Sequence, residues 1–186
     1  MEQHTLIIGG TGMLKEASIA LATQCKLLTS VARTVASVRQ LDCELQLRTE
    51  RHHMLQLDWS DENNFLDALE GHCSSVGYPS LVVAWLHQDE LGPRIAARVG
   101  AVRDSCCFFH IRSSAAADPT LCTQRLAKAW SDVPVQHYEI ILGFQLTESG
   151  SRWLNNSEIS SGVLNAIERG ERETIVGVVS PWAHRS

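Results

Sequence analysis

The chain has 186 residues and a formal net charge of −5 at pH 7; 44% of its residues are hydrophobic and 20% are charged. This length suits one well-buried domain over residues 1–186, and the acidic balance without a basic run argues against nucleic acid or an anionic membrane as a partner. No apolar run approaches the roughly 20 residues that span a bilayer, and the first residues lack the pattern of a signal peptide, so we expect a cytoplasmic protein.

The first predicted strand, at residues 5–8, runs directly into a glycine-rich turn and then into a helical pattern. Gly9 and Gly12, three residues apart, allow a tight turn that brings backbone N–H groups and a helix N-terminus toward a pyrophosphate. A glycine pair that ends a buried strand can also be no more than a turn. The motif alone leaves nucleotide binding and a plain turn both open.

Short apolar runs alternate with helical patterns along the rest of the chain. Helices are predicted where apolar residues repeat at three- and four-residue spacing. Strands are predicted at 27–32, 54–57, 81–85, 106–111, 138–146 and 174–179, and helices at 13–24, 34–50, from an N-cap at Ser60 to between Gly71 and Gly77, 91–103, 121–130 and 157–168. Strands separated by such helices favour right-handed crossovers, and hence a doubly wound α/β fold with a mainly parallel sheet.

The cysteines and histidines do not form a recognisable metal motif. The six cysteines include no CxxC pair, and the eight histidines include no HxxxH or HExxH spacing. We therefore expect buried thiols and no metal site.

Two early junctions resemble those of the short-chain dehydrogenase/reductase family. The glycine turn is similar to the family's GxxGxxG turn, with Lys15 in place of the third glycine. Ala32-Arg33, at the end of the second predicted strand, looks like the family's Ala-Arg entry into the next helix.

Two later junctions extend the resemblance over nearly the whole chain. Residues 57–61, Leu-Asp-Trp-Ser-Asp, resemble the Asp-Val-Thr-Asp that follows the family's third strand. Residues 143–147 are similar to its PGxxxT loop, with Leu142 in place of proline, and residues 151–159 resemble small bacterial members of the family. The resemblance implies a three-layer Rossmann fold with about seven strands.

The resemblance also implies a dinucleotide cofactor, NADP in preference to NAD. Arg33 lies where the adenosine ribose would sit, and its guanidinium can pair with a 2′-phosphate, although it could equally be a solvated arginine at a helix start. Lys15 could help to neutralise phosphate. Asp58 and Trp59 would border the adenine, unless Asp58 only caps the following helix. The other implied cofactor-binding residues are Gly9, Gly10, Thr11, Gly12, Met13, Leu14, Ala84, Trp85, Gly143, Phe144 and Thr147, of which Trp85 could instead be core.

Classical members of the family use a Tyr-x-x-x-Lys pair for proton transfer, and no such pair occurs in this sequence. Tyr138 falls on the sixth predicted strand instead. The candidates that remain at the carboxyl ends of the strands are Ser113, closest to the family's catalytic serine, with His87 and His110 as histidines that could replace tyrosine. Both histidines could instead be satisfied polar residues beside a cofactor or in the core.

Two functions remain open from the sequence. One is a divergent NADP(H)-dependent oxidoreductase of a small carbonyl or alcohol substrate. The alternative is a non-catalytic dinucleotide-binding redox sensor or partner module, which the missing Tyr-x-x-x-Lys pair favours. The apolar Pro181-Trp182 tail could dock on a second copy in a homodimer.

Overall fold

A computed structural model of the chain describes residues 4–49, 51–86, 88–102, 105–114, 124–147 and 150–180, with the backbone alone for 124–127. Its strands are β1 His4–Ile8, β2 Leu27–Ala32, β3 His52–Gln56, β4 Leu81–Trp85, β5 Cys107–Ser113, β6 Gln136–Leu142, β7 Phe144–Thr147, β8 Gly150–Trp153 and β9 Glu173–Val176. Its helices are α1 Lys15–Ala22, α2 Val35–Gln46, α3 Glu62–Val76, α4 Leu91–Gly100, α5 Gln124–Ser131 and α6 Asn156–Arg169.

Seven of these strands form one parallel sheet in the order β3-β2-β1-β4-β5-β6-β9. The order reverses between β1 and β4, which pair directly, with Ile8 opposite Ala84. In open α/β sheets, ligands bind outside the carboxyl ends of the strands at such a reversal. The predicted doubly wound, Rossmann-like fold is confirmed.

Helices cover both faces of the sheet, because alternate residues of each strand are apolar on opposite sides. On one face Ile7 and Ile111 pack with α1, α2 and α6, and on the other Ile8 and Phe108 pack with α3, α4 and α5. Each face therefore has its own core, and β4 is buried between the two.

The strand predicted over 138–146 is in fact two strands separated at Gly143. A Cβ atom there would collide with the carbonyl of Val178, while Phe144 and Val178 exchange two backbone hydrogen bonds of 2.9 Å. After this crossing the chain leaves the sheet, and β7 pairs antiparallel with β8 in a hairpin. The prediction missed the break because the β-rich pattern continues across Gly143.

The remaining differences between the predicted and the observed elements lie at the ends of helices and strands. Helix α3 is capped by Asp61, whose Oδ1 accepts from the Asn64 N–H at 3.3 Å, and not by Ser60, whose own N–H donates to Asp58. The final strand ends at Val176. Predicted positions 50, 103, 121–123 and 181–182 lie outside the described residues.

The cysteines are less uniformly buried than predicted. Cys73 and Cys106 are buried thiols, but Cys25 and Cys107 are only half-buried and Cys43 is exposed. Helix α2 presents Cys43 to solvent on the side opposite its buried Leu41 and Leu45. Of the helices in the described ranges, none combines the length and the apolar character needed to cross a membrane.

Candidate functional site

The glycine turn lies between β1 and α1, at the reversal of strand order. Gly9 has φ +81° and donates its N–H to the Val31 carbonyl at 3.0 Å. A Cβ on Gly10 would lie 2.6 Å from the Ser30 hydroxyl oxygen, whereas a Cβ on Gly12 would have no atom within 4 Å. The fold itself thus requires Gly9 and Gly10, and Gly12 borders open space.

The first turn of α1 has backbone N–H groups without a capping side chain. Its N-cap residue, Leu14, makes no side-chain hydrogen bond, while Thr34, Asp61 and Asn155 cap α2, α3 and α6 through side-chain oxygens. Uncapped N–H groups after a glycine turn are the usual partners of a phosphate.

Lys15, which stands in place of the third glycine of the turn, forms an ion pair with α2. Its Nζ lies 3.0 Å from Glu44 Oε1, so the side chain ties α1 to α2 as an ion pair. The ion pair gives Lys15 a structural role, and the suggestion that it neutralises phosphate stays a prediction.

A cleft of about 240 Å³ opens beside the glycine turn, and we call it the Arg33 cleft. The guanidinium carbon of Arg33 lies 5.1 Å from the centre of the Trp59 ring, a cation–π distance. The hydroxyls of Thr34 and Ser37 lie 2.8 Å apart at the start of α2. The cleft is lined by Gly9, Thr11, Gly12, Met13, Ala32, Arg33, Thr34, Ser37, Trp59 and Trp85.

Asp58 does not line this cleft. Its Oδ1 accepts the Ser60 N–H at 3.0 Å. The pKa of Asp58 is lowered, first by this backbone hydrogen bond and then by the Ser60 hydroxyl, with a smaller contribution from Arg33. Asp58 thus stabilises the turn before α3, whose N-cap is Asp61 and not Asp58, and Trp59 alone of the pair borders the cleft.

A second cleft, of about 290 Å³, lies at the carboxyl ends of β4, β5 and β6, and we call it the Ser113 cleft. Met13 and Trp85 line both clefts, so the two clefts are adjacent. The lining is Met13, Trp85, Ser113, Ser114, Leu142, Gly143, Trp153, Leu154 and Ile159. The structure therefore brings Ser113, Gly143 and Trp85 together in one lining, and their roles toward a substrate or cofactor stay a prediction.

Five other predicted cofactor residues, Gly10, Leu14, Ala84, Phe144 and Thr147, line neither cleft. Leu14 and Phe144 have buried side chains that pack in the core, and Ala84 is equally buried. Thr147 is exposed at the far end of the β7–β8 hairpin. Their side chains contribute to the scaffold of the site and not to the surface of these two clefts.

The structure does not bring His110 to Ser113. Side chains alternate along a strand, and these residues are three apart on β5, so they lie on opposite faces of the sheet. His110 is fully buried against Trp130, with ring centres 5.5 Å apart, on the face covered by α4 and α5. His87 lies outside the described residues.

A polar cluster surrounds His110 under α4 and α5. Neither ring nitrogen of His110 has a hydrogen-bond partner among the described residues, and Asp89 Oδ1 lies 3.9 Å from Nε2. Arg112 pairs with Asp89 at 2.6 Å and also with Glu139. Burial lowers the pKa of His110 far below its usual range, the effect of Asp89 being smaller and opposite.

His137, on the neighbouring strand, shares this buried environment. Its ring stacks on Trp130 with centres 3.7 Å apart and planes 8° apart. Desolvation, followed by the charges of Arg172 and Arg112, lowers its pKa to about 4. Both histidines are therefore neutral near pH 7 and belong to the core beneath α5.

Tyr138 is equally remote from the clefts. Its ring stacks on Phe109 with centres 4.5 Å apart, Arg172 lies over the same ring, and its hydroxyl donates to Gln136 Oε1 at 3.0 Å. It is a strand residue, as expected from the loop match. In the part of the chain that the structure describes, no three His, Cys, Asp or Glu side chains lie close enough together to hold a metal ion.

No protein-family model matches this chain, and no curated protein sequence matches it significantly. Solved structures do. An alcohol dehydrogenase of Comamonas testosteroni, specific for bulky-bulky ketones, is 16% identical with a TM-score of 0.72, over 97% of this chain and 88% of that one. A short-chain dehydrogenase of Sphingobium yanoikuyae in complex with NADPH is 16% identical with a TM-score of 0.71, over 97% and 91%.

A third similar structure is a presumed oxidoreductase from Escherichia coli K-12, 15% identical with a TM-score of 0.69, over 94% of this chain and 95% of that one. At these identities the likeness establishes the fold alone. The chain has the Rossmann-like α/β fold of short-chain dehydrogenases.

Several lining residues escaped the sequence reasoning. Thr34 and Ser37 could have been found from the pattern that follows Arg33, since Thr34 is the N-cap of α2 and Ser37 lies in its first turn. Trp153, Leu154 and Ile159 line the Ser113 cleft only because the β7–β8 hairpin and α6 fold back against β6. No local pattern signals that contact.

Proposed function

We propose that this protein is a divergent NADP(H)-dependent oxidoreductase that acts on a small carbonyl or alcohol substrate. The observation that carries the proposal is that two clefts lie side by side at the reversal of strand order, one beside the glycine turn and one at Ser113, with Met13 and Trp85 in the walls of both. A dinucleotide bound along this edge would pass the glycine turn at its pyrophosphate and reach both clefts.

The pyrophosphate would lie at residues 9–14. The uncapped N–H groups of α1 offer hydrogen bonds to its oxygens, and the open space at Gly12 allows close approach of the backbone. The proposed pyrophosphate-binding segment therefore comprises Gly9, Gly10, Thr11, Gly12, Met13 and Leu14. A residue of this segment whose side chain is buried, such as Leu14, would contribute through its backbone alone.

The Arg33 cleft suits the 2′-phosphate of NADP. Arg33 supplies a positive charge, Thr34 and Ser37 supply hydroxyls, and all three lie at the N-terminus of the 12-residue helix α2. No carboxylate is among the described residues that line this cleft, whereas an acidic side chain would bind the ribose hydroxyls of NAD. The similar Sphingobium yanoikuyae dehydrogenase is in complex with NADPH, which agrees with this choice.

The substrate would bind in the Ser113 cleft. NADP(H), when bound, supplies or accepts a hydride. The Ser113 hydroxyl can donate a hydrogen bond to a carbonyl oxygen, and Trp85 and Met13 separate the reacting centre from the adenosine end. We propose Ser113 as the residue that orients the substrate oxygen and His87 as the proton donor. His110 has no part in this step, because the sheet separates it from the cleft.

Replacing Arg33 by alanine is expected to raise the Kd for NADPH about 10- to 100-fold, because charged hydrogen bonds to the 2′-phosphate are lost, and to leave the Kd for NADH unchanged. Isothermal titration of both nucleotides measures this. The control is Arg39→Ala, an exposed arginine on the same helix that does not line the cleft. A wild-type protein that prefers NADH would contradict the assignment of Arg33.

Replacing Gly12 by aspartate is expected to raise the Kd for NADPH at least about 100-fold, since a carboxylate would repel the pyrophosphate at close range. The free energy of unfolding should change by less than about 1 kcal/mol, because a side chain at Gly12 meets open space. Gly71→Asp in α3, where the space is also open, is the matched control and should bind NADPH normally. Unchanged binding by Gly12→Asp would remove the glycine turn from the site.

A second candidate is a dinucleotide-binding redox sensor or partner module without turnover. The absence of a Tyr-x-x-x-Lys pair and the packing of Tyr138 against Phe109 favour it. The two functions differ in turnover alone. Oxidation of NADPH by an aldehyde that Ser113→Ala slows would reject the sensor, and tight NADPH binding with no turnover of any carbonyl compound would reject the enzyme.

A further inference from the structure

The Ser113 cleft combines apolar walls with two indole rings. Of the nine described residues that line it, Trp85 and Trp153 are aromatic, four more are aliphatic or thioether side chains, and none carries a charge. Ser113 and Ser114 are the residues with polar side chains in this lining. A charged substrate group would be desolvated here without an ionic partner, which is costly.

Trp153 occupies an unusual position for so large an apolar side chain. Its exposed fraction is 49%, although its strand partner Phe144 is fully buried. An indole that both lines a cleft and remains half exposed gains further burial when a flat apolar ligand covers it.

The side chain of Arg152 holds the backbone around Trp153 through a hydrogen bond and an ion pair. Arg152 donates to the Trp153 carbonyl at 3.0 Å and to both carboxylate oxygens of Glu158 at 2.8 and 2.7 Å. Glu158 in turn forms a capping box with Asn155 at the start of α6. The end of the hairpin is therefore anchored to a helix, and Trp153 is presented to the cleft from a fixed strand end.

From these contacts we infer that Trp153 is a specificity-determining residue, and that the substrate is an uncharged aromatic aldehyde or ketone, or the corresponding alcohol, whose ring lies against the indole of Trp153. The inference rests on the proposed function and names the substrate class of its site. The carbonyl or hydroxyl group of the substrate faces Ser113, and the ring lies toward the hairpin.

Binding is tested separately from turnover. Saturation-transfer NMR with benzyl alcohol in the presence of NADPH reports binding, because an alcohol and the reduced cofactor cannot react. Benzyl alcohol should bind at least about 10-fold more tightly than 4-(hydroxymethyl)benzoate, which carries a charge, and about 3-fold more tightly than cyclohexylmethanol, which cannot stack. Equal or stronger binding of the carboxylate or the cyclohexyl compound would overturn the substrate class.

Trp153→Ala should lower kcat/KM for benzaldehyde about 10-fold through KM, while Trp153→Phe should retain most of the activity. Leu146→Ala is the matched control: Leu146 is 51% exposed on the same hairpin but does not line the cleft. If Trp153→Ala and Leu146→Ala behave alike, the role of Trp153 is rejected.

The failures of the two proposals are distinguishable. Selective binding of benzyl alcohol that Trp153→Ala removes, without turnover of benzaldehyde, would reject the oxidoreductase and keep the aromatic site. Turnover of short aliphatic aldehydes at equal or higher kcat/KM than benzaldehyde would keep the oxidoreductase and reject the aromatic substrate class.

Discussion

Gly143→Ala is expected to lower the free energy of unfolding by about 2–4 kcal/mol, since it combines overpacking with the loss of backbone hydrogen bonds. The new Cβ would collide with the carbonyl of Val178, which is backbone and cannot rotate away. The two hydrogen bonds of 2.9 Å between Phe144 and Val178 must then stretch or break. Urea unfolding followed by circular dichroism measures the change.

The matched control for this substitution is Gly71→Ala in the middle of α3. A Cβ at Gly71 meets nothing within 4 Å, and alanine is the better helix former, so stability should rise by up to about 1 kcal/mol. If Gly143→Ala unfolds within about 0.5 kcal/mol of wild type, then the crossing of residues 143–144 and 178 is not needed for the fold.

Acid is expected to destabilise the protein between about pH 6.5 and pH 4, through the buried histidines beneath α5. The folded-state pKa values of His110 and His137 lie below the unfolded value, that of His137 at about 4. The unfolded chain therefore binds protons first as the pH falls. The stability that these residues contribute is fully present above about pH 6.5 and is lost as the pH approaches the folded pKa values.

Each histidine that titrates in this way adds about 1.4 kcal/mol per pH unit to the loss of stability. His137→Phe keeps the aromatic stacking on Trp130 and removes one proton-binding group. Between pH 6 and pH 4.5 its free energy of unfolding should therefore fall less steeply than that of wild type, by about 1.4 kcal/mol per pH unit. Urea unfolding at a series of pH values checks this. Parallel curves for wild type and His137→Phe would show that His137 is protonated equally in both states.

Regular local patterns made much of the fold predictable. The apolar run of β4, the helical repeats after β1 and β2, and the glycines at 9–12 each indicate their own local structure, and the right-handed crossover rule favours a parallel sheet covered on both faces. Arg33 was likewise found from its place at the end of a strand, and it lies in a cleft with Trp59, which the sequence had placed beside it.

One misplacement could have been avoided from the sequence. His110 and Ser113 are three residues apart on a strand that was correctly located, and side-chain alternation alone puts them on opposite faces. Both residues lie near the carboxyl end of β5, but that position alone does not specify the face of the sheet to which each side chain points.

The sequence by itself determined the doubly wound architecture, the glycine turn and the charge at Arg33, because each depends on residues that are close along the chain. Only the tertiary structure decided that Gly143 breaks a strand against Val178, that Lys15 forms an ion pair with Glu44, and that Trp153 reaches the Ser113 cleft. These contacts join residues that are far apart along the chain or lie on separate elements. Local periodicity carries no information about such partners, since packing between whole elements chooses them.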